Sequence, residues 1–218
     1  MQLHSAVIPG IRYAIHRLPR EAWGALSKVV DSEGNLLPVF RGQHGASDAW
    51  SESFLGSLSF GSVDAASRYA VHPNDRRHTV QAPKVFPVYL NLQNPFLTSE
   101  SDPFMDLSHY AETFGLAETR RIALKFKENI YNTNAWEEMS SDFSTVEDLS
   151  ERRPDLLMTM CFELYALLDD ETEVERLCRK GFDGAIYGGS GETALETEYR
   201  VFSPSQVRSV WDSFFLTS

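Results

Sequence analysis

Apolar and polar positions alternate over several short stretches of the chain, and these stretches predict strands. Five runs have the length and alternation of strands and are bounded by turn-forming residues: 36–41, 50–60, 85–92, 182–187 and 198–202. Pro87 lies inside the third run. Because proline cannot donate a ladder hydrogen bond, that strand is expected at a sheet edge or at a bulge.

Apolar residues at helical spacing predict most of the remaining chain. One or two short helices are expected between Ile8 and Val30, and another over 64–69, with Asp64 suited to cap its N-terminus. From 99 to 179 the spacing is helical almost throughout, and it predicts five helices: 103–116, 117–132, 143–151, 154–168 and 171–180. The clearest apolar stripe, within the fourth of these, predicts core packing.

The stretch from Lys180 to Val210 joins two predicted strands through a glycine-rich loop at 188–191 (GGSG). Glycine suits such a loop because it adopts positive φ without steric cost. Glu196 and Glu198 lie two residues apart where the loop meets the second strand, so both side chains are expected on one face. Two carboxylates there predict a cationic partner.

Composition and charge narrow the classes of partner. The 218 residues are 42% hydrophobic and 23% charged, which is typical of one soluble globular domain. The net charge of −11 argues against nucleic acid and against an anionic membrane surface, because both bind clustered lysine and arginine. A nucleotide can still bind locally, through one arginine and backbone amides.

The same residues indicate where the chain is made. No apolar run approaches the roughly 18 residues of a membrane span, and the N-terminal residues lack the pattern of a signal peptide. We therefore expect synthesis in a cytoplasm. Secretion, or delivery into a host cell, would then use a route without a cleavable signal.

Other chemistries have little support in the sequence. The histidines between His44 and His109 have no cysteine or carboxylate partners at metal-ligand spacing, so no metal site is predicted. Cys161 and Cys178 have apolar neighbours in helical patterns and are predicted to be buried free thiols. The run GGSGE at 188–192 has neither the context of a nucleophile elbow nor the lysine of a phosphate loop.

Three short motifs follow one another on predicted strands: Phe40-Arg41-Gly42, Ser57-Leu58-Ser59-Phe60 and Glu196-Thr197-Glu198. Together they resemble the arginine, serine and glutamate triad of mono-ADP-ribosyltransferases. Further segments are similar to the bacterial and phage branch of that fold: 64–70, 86–96, 181–187 and 198–210. The N-terminal stretch and 99–179 match nothing in the family. Its serine motif usually reads Ser-Thr-Ser, and here Leu58 takes the middle place.

The resemblance implies an NAD site with an ionised glutamate at its centre. Glu198 would be the catalytic glutamate, stabilising the positive charge that builds on ribose as the bond to nicotinamide breaks. Arg41 would bind an NAD phosphate with its forked donors. The structural alternatives are an exposed strand carboxylate for Glu198 and a surface ion pair for Arg41.

Neighbouring residues acquire roles from the same resemblance. Gly42 would let the backbone approach the nicotinamide amide, and Ser59, or alternatively Ser57, would orient the catalytic glutamate. Phe60 would stack on the nicotinamide or the adenine of NAD, and Tyr69 is a further candidate NAD contact.

Glu196 indicates the acceptor. In relatives that modify arginine, a glutamate two residues before the catalytic one engages the acceptor, and a carboxylate suits a guanidinium. The loop from Gly188 to Leu195 resembles the turn that recognises the acceptor protein, and its glycines suit a segment that orders on docking. Arginine is the favoured acceptor, with threonine or another side chain as alternatives.

These observations predict an α+β fold in which two small, mostly antiparallel sheets pack around an NAD cleft. The chain is expected to form a single domain, 1–218, with an N-terminal helical part and a helical insertion at about 99–179 that recognises the target or braces the fold. The predicted function is mono-ADP-ribosyl transfer from NAD, as co-substrate, to a target protein, in a bacterial effector or toxin or a phage-encoded modifier. The alternatives are an NAD glycohydrolase and a non-enzymatic interaction module.

Overall fold

A computed structural model describes residues 4–8, 11–15, 22–44, 56–71, 82–194 and 196–211. They form two compact units, one containing the described residues up to Ser101 and from Leu168 onward, the other spanning Asp102–Leu167. Among these residues, no helix has both the length and the apolar character needed to cross a bilayer.

Before the chain enters the second unit, the described part of the first contains eight strands and helices: β1 (His4–Ile8), β2 (Ile11–Ile15), a 3-10 helix (Ala22–Gly24), β3 (Val39–Gln43), β4 (Leu58–Phe60), α1 (Val63–Val71), β5 (Lys84–Leu90) and β6 (Pro95–Ser99). The second unit contains β7 (Phe104–Asp106), α2 (Leu107–Phe114), α3 (Leu116–Lys125), α4 (Lys127–Ile130), α5 (Asn134–Met139), α6 (Val146–Arg152), α7 (Pro154–Leu157) and β8 (Cys161–Glu163). After α8 (Tyr165–Leu168) the first unit is completed by α9 (Glu171–Arg179), β9 (Gly184–Gly188), a 3-10 turn (Gly191–Thr193), β10 (Thr197–Val201), a 3-10 turn (Pro204–Gln206) and β11 (Val207–Ser209).

Two small sheets organise the first unit. Four strands lie in the order β4-β10-β9-β6, antiparallel except for the parallel pair β6 and β9, and three antiparallel strands lie in the order β11-β5-β3. Phe40 and Gly61 exchange backbone hydrogen bonds of 2.9 and 3.0 Å and so link β3 to the end of β4. The predicted α+β fold with two mostly antiparallel sheets is confirmed.

The main hydrophobic core draws on both sheets, which explains why the predicted strands are apolar. Its buried members are Val29, Val39, Leu58, Phe60, Val88, Leu90, Leu92, Ile186 and Val201. A second cluster, with Phe40, Ala66 and Tyr89, packs α1 against the three-stranded sheet. Burial of these side chains provides the main driving force that holds β3, β4 and β10 in fixed positions.

The position of Pro87 differs from the expected sheet edge. It lies in β5, the central strand of its sheet, opposite Phe40 in β3. The backbone N–H and C=O of Phe40 both bond to Gly61. Phe40 and Pro87 are therefore opposite each other without ladder hydrogen bonds between them, and no N–H is needed from the proline. On the other side β11 pairs only with residues 88–90 of β5 and ends before Pro87. Proline is tolerated because neither neighbour requires its N–H.

The predicted N-terminal helices are wrong over the described residues. β1 and β2 pair antiparallel, from His4 opposite Ile15 to Ile8 opposite Ile11, and the only helical segment described before Val30 is the 3-10 helix at 22–24. The apolar residues Ile11, Tyr13 and Ile15 recur at every second position. Their β-branched and aromatic side chains favour a strand. The helical spacing of apolar residues over the longer range from Ile8 to Val30 obscured this two-residue period.

The second unit is largely helical, but the predicted helix at 154–168 is wrong in its middle. β8 interrupts it and pairs antiparallel with β7, with Phe162 opposite Met105. Both side chains are buried. This pairing joins segments far apart in sequence, so local periodicity could not report it. The apolar stripe nevertheless lies in the core as expected, since Leu157, Met160, Leu164, Leu167 and Leu168 are buried.

Two smaller expectations also need correction. Both cysteines are free thiols, but Cys161 is only half-buried and Cys178 is exposed. Cys178 directly follows Leu177, which lies on the buried face of α9. Successive residues of a helix are rotated by about 100°, so Cys178 points away from that face. The N-cap of α1 is Ser62, whose Oγ accepts from the Ala65 N–H at 3.0 Å, whereas Asp64 lies in the first turn.

Candidate active site

Glu198 lies in the middle of the four-stranded sheet, on β10, and its side chain is buried rather than exposed. It is 4% exposed and faces Tyr187 of β9 in the ladder. Ser59 Oγ donates to Glu198 Oε1 at 2.7 Å, and Thr193 Oγ1 donates to Glu198 Oε2 at 2.7 Å. The exposed strand carboxylate considered from the sequence is therefore excluded.

Arg200, two residues along β10, is the cation that meets this carboxylate. It is 6% exposed, and its Nε donates to Glu198 Oε1 at 2.5 Å. Its Nη1 donates to Asp169 at 2.7 Å and to Ser57 Oγ at 3.2 Å. Two buried charges are costly unless paired and hydrogen-bonded, and here the network satisfies both.

Electrostatics keep Glu198 ionised. Burial on its own raises the pKa of a carboxyl, but the Arg200 charge and the hydrogen bonds from Thr193 and Ser59 outweigh it, so the pKa of Glu198 is lowered. Burial likewise acts to lower the pKa of Arg200, yet the charges of Glu198 and Asp169 raise it well above its ordinary value. The site therefore presents a fixed negative charge at neutral pH.

The choice between Ser57 and Ser59 is resolved by placement. Ser59 contacts Glu198, whereas the Ser57 hydroxyl donates to the Leu168 carbonyl at 2.8 Å and accepts from Arg200. Ser59 is opposite Arg200 in the pairing of β4 with β10, and Ser57 precedes β4 by one residue, so the two serines lie two residues apart on the same face as Arg200. Ser57 thus contacts the carboxylate only through Arg200.

Arg41 lies next to these residues, and the part of the chain that the structure describes offers it no anionic partner. Its Nη1 donates to the Ser59 carbonyl at 3.1 Å, and its guanidinium lies 5.8 Å from the Phe60 ring centroid. Among the described residues, no ion pair forms with Arg41, and its buried Nε has no hydrogen-bond partner. Burial, with a further contribution from Arg200, lowers its pKa. A buried guanidinium with a vacant donor suits an incoming anion such as a phosphate.

The two residues that adjoin Arg41 and Ser59 in sequence are held by packing. A Cβ at Gly42 would lie 1.9 Å from the Ala66 carbonyl oxygen of α1, so the close approach of β3 and α1 requires glycine. Phe60 is 1% exposed and belongs to the main core. In this structure both residues are packed next to Arg41, which favours a packing role over a direct contact with nicotinamide.

Tyr69 lies on α1 and is partly exposed. Its ring centroid is 6.5 Å from that of His44, at an interplanar angle of 42°, and its phenol is close enough to influence the pKa of Arg41. Its predicted contact with NAD remains a prediction.

The glycine-rich loop brings Thr193 to Glu198. Gly189 N–H donates to the Glu196 carbonyl at 2.8 Å, closing the loop. A Cβ at Gly189 would lie 2.2 Å from Thr193 Oγ1, so glycine leaves the space that Thr193 occupies. Leu195, the last residue of the predicted recognition loop, lies outside the described residues.

Glu196 precedes β10 and contacts α1. One carboxylate oxygen accepts a short hydrogen bond from Ser62 Oγ, and the other accepts from Arg68 Nη2 at 2.5 Å. Burial acts to raise the pKa of Glu196, but Ser62 and Arg68 lower it overall. Ser59 and Ser62 thus each hold one member of the Glu-x-Glu pair.

Sequence reasoning missed four residues of this site: Arg200, Thr193, Ser62 and Arg68. Arg200 had a signal, since an arginine two residues after a glutamate on a strand shares its face. Thr193 and Ser62 had none, because threonine and serine are common in loops. Arg68 lies six residues after Ser62 in the predicted helix, and only the folded position of α1 brings it to Glu196.

The comparison with known families agrees with this geometry. The model of a family described as an ADP-ribosyltransferase in polyvalent proteins matches residues 31–215. The chain belongs to this family. Neither curated proteins nor solved structures gave a match in the corresponding comparisons. The resemblance drawn from the sequence motifs is thereby confirmed, and the match also spans the helical unit that the motifs left unassigned.

As an ADP-ribosyltransferase the protein uses NAD as substrate, and the residues present fit that donor. Arg41 has an unused buried donor for an anionic group, and Glu198 is held ionised beside it. Within the described ranges, no group of histidine, cysteine or acidic side chains is arranged to hold a metal ion.

Proposed function

We propose that the protein transfers one ADP-ribose from NAD to a side chain of a target protein, with arginine as the favoured acceptor. One observation carries the proposal: Arg41, Ser59 and Glu198 are joined by consecutive hydrogen bonds although they come from three separate strands. The family match supports ADP-ribosyl transfer in general. The protein acceptor and its residue type are the added steps.

The chemistry follows from the charges. As the bond between nicotinamide and ribose breaks, its electron pair leaves with nicotinamide and positive charge builds on the sugar. Glu198, oriented by Ser59 and Arg200, accepts a hydrogen bond from the adjacent ribose hydroxyl and stabilises that charge as it develops. Arg41 holds a phosphate of NAD and so fixes the distance between donor and carboxylate.

Glu196 supports a guanidinium acceptor. Its carboxylate is ionised, lies two residues from Glu198 and already binds one guanidinium, that of Arg68. A nitrogen of an acceptor arginine held there attacks the ribose carbon and passes its proton to the Glu196 carboxylate. Threonine or another acceptor would gain less from this carboxylate, because it lacks the forked donors.

A bacterial effector, a toxin or a phage-encoded modifier is the setting we propose. The net charge of −11 favours a protein target with a basic surface over nucleic acid or membrane.

Labelled NAD and a target-cell lysate test the proposal. We expect a labelled protein band with the wild type and its loss with Glu198→Gln, because the amide oxygen can still accept from Ser59 but the side chain carries no charge. Glu151→Gln, in an exposed ion pair of the second unit, is the matched control and should label normally. Labelling by Glu198→Gln at the wild-type level, or no labelled protein and no free ADP-ribose from the wild type, would contradict the proposal.

An NAD glycohydrolase is the second candidate, and the Arg68 pair favours it because Glu196 is already engaged. Glu196→Gln separates the two: a transferase loses transfer but retains hydrolysis of NAD, whereas a hydrolase is little affected. A non-enzymatic module is tested by calorimetry, where absence of NAD binding would support it.

A further inference from the structure

Glu196 carries a guanidinium supplied by the protein itself. Arg68 Nη2 lies 2.5 Å from Glu196 Oε1, and Ser62 Oγ binds the other oxygen. Both partners come from α1, Ser62 before its first turn and Arg68 near its end. The carboxylate is therefore held from one side by a single helix.

The pair lies at the surface. The Arg68 side chain is 44% exposed and that of Glu196 is 26% exposed, in contrast to the buried pair of Glu198 and Arg200. Exposed ion pairs are weak and exchange readily with ions from solution. Arg68 can therefore leave Glu196 without disturbing the core.

We propose that Arg68 is an intramolecular occupant of the acceptor site, which an acceptor guanidinium must displace before it can be modified. The inference rests on the proposed function, in which Glu196 receives the acceptor. It adds a residue that determines specificity: Arg68 holds the carboxylate until a ligand with equivalent donors replaces it.

Selectivity follows from this competition. The contact that Arg68 gives up is one guanidinium N–H bond to Glu196 Oε1, and an acceptor guanidinium replaces it with the same donor and charge, so it exchanges with little loss. An ammonium or a hydroxyl offers fewer donors in a different geometry and exchanges less favourably. Without an acceptor, Glu196 stays paired and its charge stays compensated.

Kinetics with NAD and agmatine, a small soluble guanidine, test the proposal. In Arg68→Ala the KM for agmatine should fall about two- to fivefold, the range expected for removing an exposed ion-pair competitor. The ratio of modified agmatine to free ADP-ribose should rise. Arg68→Lys keeps the charge but not the forked donors, and its KM for agmatine should lie between those of the wild type and Arg68→Ala.

Arg152→Ala is the matched control, since Arg152 forms a similarly exposed ion pair with Asp148 in the second unit. It should leave the KM for agmatine unchanged. An unchanged or higher KM in Arg68→Ala, with a melting temperature close to that of the wild type, would overturn the proposal, because Arg68 would then be a structural contact or would aid the acceptor.

A binding measurement separates this inference from the proposed function. Agmatine is titrated into each protein without NAD, and calorimetry measures the binding. Agmatine should bind Arg68→Ala two- to fivefold more tightly than the wild type and should not bind Glu196→Gln. If the wild type neither labels protein nor cleaves NAD, the proposed function fails while this titration still decides the role of Arg68. Equal affinity of wild type and Arg68→Ala overturns the inference even where transfer is active.

Discussion

At the scale of single residues, Glu198 and Arg200 depend on each other. A buried charge that loses its partner is destabilising by about 3–5 kcal/mol, far more than an exposed ion pair contributes. Arg200 also binds Asp169 and Ser57, so it connects the carboxylate to the segment that follows the second unit. The Glu198 carboxylate is thus part of the structural core of its sheet.

We expect Arg200→Gln to lower the free energy of unfolding by about 3–5 kcal/mol, because Glu198 and Asp169 both lose their cation. Arg152→Gln, which removes an exposed pair, should cost no more than about 1 kcal/mol. Chemical denaturation of both variants measures the difference. Equal losses would show that the buried pair is not an unusually strong contact.

Substitution of Ser57, just before β4, and of Ser59, within it, should separate effects on catalysis from effects on stability. Ser59→Ala removes a hydrogen bond to a charged group, so we expect kcat for NAD cleavage to fall about ten- to a hundredfold. Ser57→Ala leaves the buried Leu168 carbonyl without its donor and should cost about 1–3 kcal/mol of stability, with a smaller effect on kcat. The reverse pattern would contradict the assignment of Ser59.

Acid should act on stability through Glu198. Its folded-state pKa lies below the ordinary value of about 4.5, so the ionised form stabilises the fold fully above that pH. This contribution is lost as the pH falls through the lower folded-state pKa. Denaturation midpoints recorded from neutral pH to below 4.5 should therefore fall more steeply for the wild type than for Glu198→Gln. Parallel curves would contradict this account.

At the scale of elements, the contact between α1 and β3 sets the position of the site, since α1 carries Ser62 and Arg68 and β3 carries Arg41. Gly42→Ala places a methyl group against the Ala66 carbonyl, and we expect a loss of at least about 1–3 kcal/mol together with weaker NAD binding. Gly61→Ala is the matched control, because its Cβ would have its nearest neighbour at 3.5 Å. Thermal melts and NAD titration measure both effects.

The elements also show what the sequence could and could not predict. Strands β3, β5, β9 and β10 were predictable because their apolar runs are continuous and bounded by turn residues. The hairpin of β1 and β2 was missed because the helical and strand periods of its apolar residues overlap. The pair of β7 and β8 was missed because its partners lie about sixty residues apart in the chain. Order along the chain grouped Arg41, Ser59 and Glu198 as candidates, and the structure brings them together, whereas the contact of Arg68 required the folded position of α1.

At the scale of the whole molecule, net charge influences encounter with the target. A charge of −11 attracts basic proteins over a distance of about 10 Å at 0.1 M salt and of only about 3 Å at 1 M. We expect the KM for a strongly basic acceptor protein to rise with added salt, while that for an acceptor peptide of net charge near zero changes little. Equal salt dependence of the two acceptors would count against steering by charge.

The parallel pairing of β6 and β9 determines where the fold can change. Parallel neighbours cannot be joined by a tight turn, so the chain must depart from the sheet after Ser99 and return at Gly184. The compact unit at 102–167 occupies this excursion, and none of β3, β4 or β10 belongs to it. Insertions or replacements within that unit can therefore change its sequence and length without altering the strands that carry Arg41, Ser59 and Glu198.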